Sequence, residues 1–336
     1  MMTEYEAAGQ GAVLRDASEQ GRVVLRGRDR AALLHRLSTN DIQALLPGQG
    51  CRTVLTNHHG RILDVLTVYA LPEELLLVAG PGQGETVARH FRRNIFFRDQ
   101  VTVEEATSTT SLFFLFGPQA PSVLLGLGIA GGETLALHHH RWVRFGDADV
   151  LLARELPIGG WGFALMAPAP LGPALRDSLL QAGALPLSPE TFDILRVERG
   201  YGRFGQEFTP EYIPLEAGLW EAVSFTKGCY VGQEIIARME SRHRIARLLV
   251  SLRLSGPVAT PAKLAVASQP AGTLTSAIVS PRFGPIGLAY LRREYTRPGQ
   301  EVEVFEEGVM GEVVEGPFVA EQVLATPDLA SSPPPP

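Results

Sequence analysis

The hydrophobic positions of this chain change period several times, and each change marks an element. Residues 22 to 26, RVVLR, suit a short strand. GRDRAALLHRLSTN follows as a helix, with Asp29 as its N-cap and Leu33, Leu34 and Leu37 on one face. CRTVLTN and RILDVLTVYAL are β-branched runs joined by HHG, which predicts a hairpin with Asn57, His58 and His59 at its tip. ELLLVA extends the sheet, and GETVARHFRRNIFF returns as an amphipathic helix with Val87, Phe91 and Ile95 inward. The pattern then repeats loosely: SLFFLFG, DVLLARE and GWGFALMA are strand-like, PQAPSVLLGL and PALRDSLLQAG helical. Strands and helices mixed at such short spacing predict antiparallel α+β layers rather than a long parallel series.

From Arg247 to about Phe318 the chain changes character. Short runs, RLLVSLRL, GTLTSAIVS, IGLAYLR, EVEVFE and GEVVEGPF, are separated by Gly and Pro, a spacing that suits a small β-barrel. The expected division is therefore an α+β lobe over 1–110, a second over 111–244, a barrel over 245–322 and a disordered Pro-rich tail over 323–336. A chain of 336 residues exceeds one ordinary core, which agrees with several domains.

Composition narrows the function classes. With 45% hydrophobic and 20% charged residues the chain reads as a globular protein, and a net charge of -6 argues against a general nucleic-acid binder. The start, MMTEYEAAGQ, carries no signal-like apolar run, and Gly and Pro break every long apolar stretch, so a cytoplasmic protein without a membrane span is expected. Cys51 and Cys229 are too few for a disulfide framework and cannot alone supply the thiolates of an iron-sulfur cluster. HHH at 138–140 is not expected to bind metal, because neighbours on a strand point to opposite faces. GPGQGETVAR lacks the lysine of a phosphate loop.

Three stretches could carry chemistry. In KGCYVGQE, residues 227–234, Cys229 follows Lys227 and precedes a helix that begins near Gly232, with Glu234 in its first turn and Arg242 and Arg244 towards its end. A nearby cation and a helix N-terminus both favour a thiolate, and Gly228 and Gly232 let the backbone turn around it. A buried cysteine in a turn is the alternative. In LRVERGYGRFGQE, Glu198 ends a helix opened by Pro189 and closed by Gly200, where the dipole disfavours an anion. Either Arg196 or Arg199 compensates it, or it accepts paired N–H donors from a ligand. Asp64 alternates with Ile62, Leu66 and Val68, so it lies on a solvated face or marks a polar site on a buried one.

Together these stretches resemble the YgfZ family of folate-binding proteins, relatives of the glycine cleavage T-protein aminomethyltransferases. KGCYVGQE is similar to that family's hallmark, and RDRAALLHRLSTNDI, PGQG, TNHHGRILD, IPLEAGL and VSFTKGCYVGQEIIARM fall in its order, over roughly residues 20 to 320. The resemblance implies a three-domain fold, two folate-binding α+β lobes and a C-terminal β-barrel around a central cavity. It implies tetrahydrofolate or a derivative as cofactor, with Glu198 at the pterin edge and Asn57, Thr67 and Tyr69 lining the same cavity. Lys227 and Cys229, with Gly228, Gly232, Gln233 and Glu234, would form the functional motif, and iron-sulfur client enzymes or assembly factors would be the partners. Where the aminomethyltransferases carry the second Asp of a pair, the catalytic one, this chain has Val65. Support of iron-sulfur cluster assembly or repair is therefore expected before folate-dependent aminomethyl transfer or demethylation.

Overall fold

Two sheets account for the strands before the barrel. The first has five, in the order Gly50–Thr56, Ile62–Ala70, Glu74–Pro81, Gln20–Arg26 and Thr102–Glu105, all antiparallel. The second has six, in the order Leu185–Pro186, Val13–Asp16, Thr110–Phe116, Gly162–Pro168, Ala148–Arg154 and His140–Phe145, antiparallel except at the short pair on its first edge. The protein is seen here as a computed structural model that describes residues 2–241 and 245–320. Arg242, Arg244 and the expected tail fall outside the described residues.

Alternation along the strands decides how the layers stack. Leu66, Val68 and Ala70 pack with Leu33 and Leu37 of helix Arg30–Leu37 and with Val87 and Phe91 of helix Gly84–Arg93. Tyr69, on the opposite face, meets Val24, Leu76 and Val78 of its own sheet and Leu112, Leu151 and Met166 of the other. The outer face of the second sheet takes Val123 and Leu124 of helix Ala120–Gly126 and Leu175 and Leu179 of helix Gly172–Gln181. The result is two sheets face to face with helices outside, each element burying one apolar side.

Sheet membership does not follow the expected division at residue 110. Val13–Asp16 belongs to the second sheet, because Val13 is buried with Phe116, Leu187 and Leu195, and helix Glu4–Gln10 adds Ala7 and Ala8 to that cluster. The next strand, Gln20–Arg26, already lies in the first sheet, so residues 17–19 tie the two together.

The barrel closes in the order Arg247–Leu254, Gly284–Arg292, Gln269–Ser280, Ala262–Val266, Glu301–Val304 and Val309–Val313. Leu252, Leu274, Leu291, Val302 and Val304 fill it, and closure leaves no free edge. The strand Ala262–Val266 is absent from the sequence pattern, since its few apolar residues sit between Pro261 and Pro270 and resemble a linker. Helix Pro189–Glu198 opens as expected, with the Ser188 hydroxyl accepting the Thr191 N–H at 3.2 Å, and Gly200 follows it at φ 70°. This helix is the joint between the second sheet and the barrel.

Candidate functional site

A cavity of about 1080 Å³ opens where the inner faces of both sheets meet helix Pro189–Glu198 and the loop after it. Val65, Thr67 and Tyr69, alternate residues of strand Ile62–Ala70, line one wall. Phe114 and Phe116 of the second sheet line another, stacked at 5.7 Å, and Phe192 of the helix continues the stack at 6.3 Å. Phe204 and Phe208 come from the loop. Aromatic rings thus reach the wall from the second sheet, the helix and the loop.

Charge is added at its margins. The Arg15 guanidinium lies 4.1 Å over the Phe192 ring and pairs with Glu19 at 2.6 Å. Burial lowers the Arg15 pKa, and the nearby cation of Arg203 pushes in the same direction. Arg203 pairs with Asp193 at 3.1 Å and Arg52 with Glu221 at 3.0 Å. Each of these three guanidinium groups thus stands beside a carboxylate, and the margin carries both signs of charge.

Asp64 borders the cavity as well, although alternation sets it one step from Val65. Its carboxyl accepts the Val65 N–H at 2.7 Å and the Gly80 N–H at 3.1 Å. Burial raises its pKa to about 7 against the opposing effect of these hydrogen bonds. The sequence left a solvated face or a polar site open; with Asp64 only 2% exposed, it is the second.

Glu155 is a cavity residue that sequence reasoning missed. It accepts the Tyr69 hydroxyl in a buried hydrogen bond and lines the cavity beside it. The available signal was a carboxylate directly after the buried run Val150–Arg154, in LLARELPIGG.

Two expected ligand residues lie elsewhere. Asn57 shapes the hairpin: its side-chain oxygen accepts the N–H groups of His59 at 2.9 Å and Arg61 at 3.1 Å. Glu198 is buried in the joint, where its Oε1 accepts the hydroxyls of Tyr5 at 2.7 Å and Ser280 at 2.6 Å, and Arg199 stands 3.9 Å from Oε2. Glu198 is not among the residues that line the cavity.

The KGCYVGQE stretch forms a second locality, on the helix-bearing side of the first sheet, where Val231 packs against that core. Lys227 Nζ donates to the carbonyls of His35, Ser38 and Asn40 at 2.5, 2.7 and 2.8 Å. It therefore caps the C-terminus of helix Arg30–Leu37, where a cation is favoured, and burial lowers its pKa to about 8. Cys229 is exposed on the loop that follows. The Val231 N–H reaches the Arg36 carbonyl at 3.1 Å, and the Thr56 hydroxyl the Val231 carbonyl at 2.5 Å. Gly232 has φ 83°, and a Cβ there would stand 2.7 Å from the Asn57 carbonyl, so this turn requires glycine. At Gly228 a Cβ would meet only His35 Nε2, at 4.0 Å. Gln233 Oε1 accepts the Tyr230 N–H at 3.4 Å, and Glu234 sits in the first turn of helix Gln233–Ser241. Thr67 and Tyr69 are thus brought together in the cavity; Asn57 joins the cysteine motif instead.

His138 is not in a strand. It has a left-handed φ of 62°, and both it and His140 are buried, so opposite faces do not describe this tract.

Facing sheets, a closed barrel and a cavity at their junction define an aminomethyltransferase-like protein. The crystal structure of glycine cleavage system aminomethyltransferase T from Bartonella henselae superposes with a TM-score of 0.86 at 25% identity, over 95% of this chain and 89% of that one. The GCVT N-terminal domain family matches residues 1–227 and the glycine cleavage T-protein C-terminal barrel domain residues 247–319, and the chain belongs to this folate-related T-protein family. It is 33% identical to the aminomethyltransferase of Rubrobacter xylanophilus over 94% of this chain and 85% of that protein. It is 31% identical to the Arabidopsis thaliana protein named "Putative transferase At1g60990, chloroplastic", over 94% and 73%. Among the described residues no helix is long and apolar enough to cross a membrane.

Proposed function

We propose that this protein is a folate-binding, YgfZ-like member of the T-protein family that acts in the cytoplasm and supports iron-sulfur cluster assembly or repair in client enzymes. The observation that carries the reading is Val65 on the cavity wall, where the aminomethyltransferases that the sequence resembles carry their catalytic Asp. A hydrocarbon there can neither steer a proton nor stabilise a developing cation.

The donor set fits a reduced folate. Phe114, Phe116 and Phe192 offer faces for its two ring systems. Arg15 and Arg203 offer guanidinium groups to its glutamate carboxylates, and Glu155 and Asp64 offer acceptors to pterin N–H groups. The volume of about 1080 Å³ leaves room for such a ligand. A bound tetrahydrofolate would supply the one-carbon and reducing chemistry of its pterin. Cys229, exposed on a loop that Lys227 anchors, is the group a client thiol or cluster would meet.

Calorimetry with tetrahydrofolate tests the first half: saturable binding is expected, and none in the folded protein removes folate from the function. Activity of iron-sulfur enzymes in cells lacking the endogenous protein tests the second. Cys229→Ser is expected to fold and fail to restore it, and full restoration would sink the role given to the thiol.

Asp64 favours one alternative, a tetrahydrofolate-dependent aminomethyltransferase or demethylase with a displaced acid, because its pKa of about 7 suits proton transfer at the cavity margin. Release of methylene-tetrahydrofolate from an aminomethyl donor by the purified protein would establish that activity.

A further inference from the structure

Helix Gly84–Arg93 turns Val87, Ala88 and Phe91 to the core, and the turn after it leaves two rings in solvent, Phe96 at 65% exposure and Phe97 fully exposed. The same stretch, residues 89–98, holds four arginines and no carboxylate in a chain whose net charge is -6. Arg89 and Arg92 share Glu85, at 3.5 and 3.3 Å. Arg93 and Arg98 are exposed, and among the described residues neither side chain has an ion pair or a hydrogen bond. A single exposed apolar side chain is ordinary. Two adjacent rings flanked by unpaired guanidinium groups instead form a patch of the residue types that anchor protein interfaces.

The patch is held in shape and tied to the cysteine loop by one residue of helix Arg30–Leu37. The Arg36 guanidinium lies 4.3 Å over the Phe96 ring, donates to the Asn94 carbonyl at 2.8 Å and pairs with Asp99, whose carboxylate accepts the Phe96 N–H at 2.7 Å. The carbonyl of the same Arg36 accepts the Val231 N–H, two residues beyond the exposed Cys229. None of residues 89–98 lines the cavity, which opens on the other side of the sheet.

We infer that this Arg–Phe surface is where the client protein docks, through a part of its own surface that carries carboxylates beside an apolar side chain, and that docking there brings the client to Cys229. This rests on the reading of Cys229 as the group a client meets, and it adds the chemistry of that client. Charge decides the occupant: the two free guanidinium groups call for carboxylates, which pair with them in charge-assisted hydrogen bonds, while the rings call for apolar cover. An anionic membrane would satisfy the same charges, but the apolar face of helix Gly84–Arg93 is spent on the core and cannot lie in a bilayer. Continuity with the Cys229 loop through Arg36 also favours a protein.

Fluorescence anisotropy with the full chain and a labelled model peptide, in which Asp and Glu alternate with Phe and Leu, reads the surface directly. The expected result is binding that weakens as salt is raised and falls about tenfold or more in Arg93→Glu/Arg98→Glu and in Phe97→Ser. Thermal unfolding and tetrahydrofolate affinity should stay as in the parent, because these side chains are exposed and outside the cavity. Equal peptide binding by parent and variants would overturn the inference. Binding of phosphatidylglycerol vesicles without binding of the peptide would overturn it in favour of a membrane, and a salt-sensitive dimer that the double variant dissolves would overturn it in favour of a second copy of the chain. In cells lacking the endogenous protein, Arg93→Glu/Arg98→Glu at normal abundance is expected to restore less iron-sulfur enzyme activity than the parent. Full restoration by this variant while Cys229→Ser fails would sink the docking surface and leave the role of the thiol standing; full restoration by both would sink the two together.

Discussion

At the scale of single residues, two buried carboxylates call for different tests, one of pH dependence and one of stability. The Asp64 pKa is raised from 3.8 to about 7 by burial, so the folded state holds its proton through a range in which the unfolded chain has released it. Its favourable contribution is complete below about pH 4 and is lost as pH rises to about 7. Asp64→Asn keeps an oxygen for the Gly80 and Val65 N–H groups and does not titrate. The melting temperature of this variant should therefore gain on the parent between about pH 4 and 7 and run parallel above that window; a constant difference across the range would refute the assigned burial cost. Glu198 is different, since Tyr5 and Ser280 both donate to it. Glu198→Ala leaves those hydroxyls without an acceptor and should cost about 1–3 kcal/mol in urea unfolding. Its tetrahydrofolate affinity, measured on the folded variant, should change less than about threefold, since a few tenths of a kcal/mol is all that indirect effects supply. A loss of binding at unchanged stability would return Glu198 to the ligand.

At the scale of elements, the KGCYVGQE loop shows what a local sequence can and cannot disclose. Its glycine turn and the helix after it were legible, because φ above zero at Gly232 and the first helical turn are local properties. The lysine's partner was not. Lys227 stands two residues from Cys229, yet its ammonium binds carbonyls nearly 190 residues earlier, and sequence proximity suggested the thiol instead. The same reason hid Glu155, whose partner Tyr69 lies 86 residues away on the opposing sheet. Thr67, Tyr69 and Asn57 were all drawn to the cavity by resemblance; strand alternation sets the first two on its wall, whereas Asn57 belongs to a turn. Lys227→Met distinguishes helix cap from thiol activator. As a cap, its loss leaves buried carbonyls unpaired and should lower stability by about 1–3 kcal/mol, with faster amide exchange in residues 35–40 and little change in the alkylation rate of Cys229. Normal stability with slower alkylation would support the activator role instead.

At the scale of the whole molecule, the barrel was readable from its short runs and turns, but the cavity was not, because its walls come from both sheets, the joint helix and the loop at 200–208. What holds that loop is a buried polar cluster shared with the barrel. Glu207, fully buried, accepts Arg196 Nη1 at 2.9 Å, the hydroxyls of Thr275 and Ser276 at 2.7 and 2.6 Å, and the Arg203 N–H at 3.1 Å. Arg196 in turn donates to Gln206 at 2.6 Å and to Ser276 at 2.8 Å. Apolar contacts reinforce the joint: Val197 packs on Ile286 and Leu288, and Tyr212 stacks on Tyr290 at 3.4 Å. If the polar cluster governs docking, Glu207→Gln should cost about 1–3 kcal/mol, because it removes one of the two anions on a buried guanidinium and leaves Arg196 with Asp193, at 2.6 Å, alone. The barrel strands would keep their own core, so the damage should appear at the joint. Limited proteolysis should open the segment 200–208 first, and tetrahydrofolate binding should weaken together with it, since Arg203, Phe204 and Phe208 on that segment line the cavity. Unchanged proteolysis and full stability in Glu207→Gln would mean that the apolar contacts alone dock the barrel. In that case the loop, and the cavity wall it forms, would be set by the packing of Phe208 and Tyr212 against Val54, Ile62 and Tyr290.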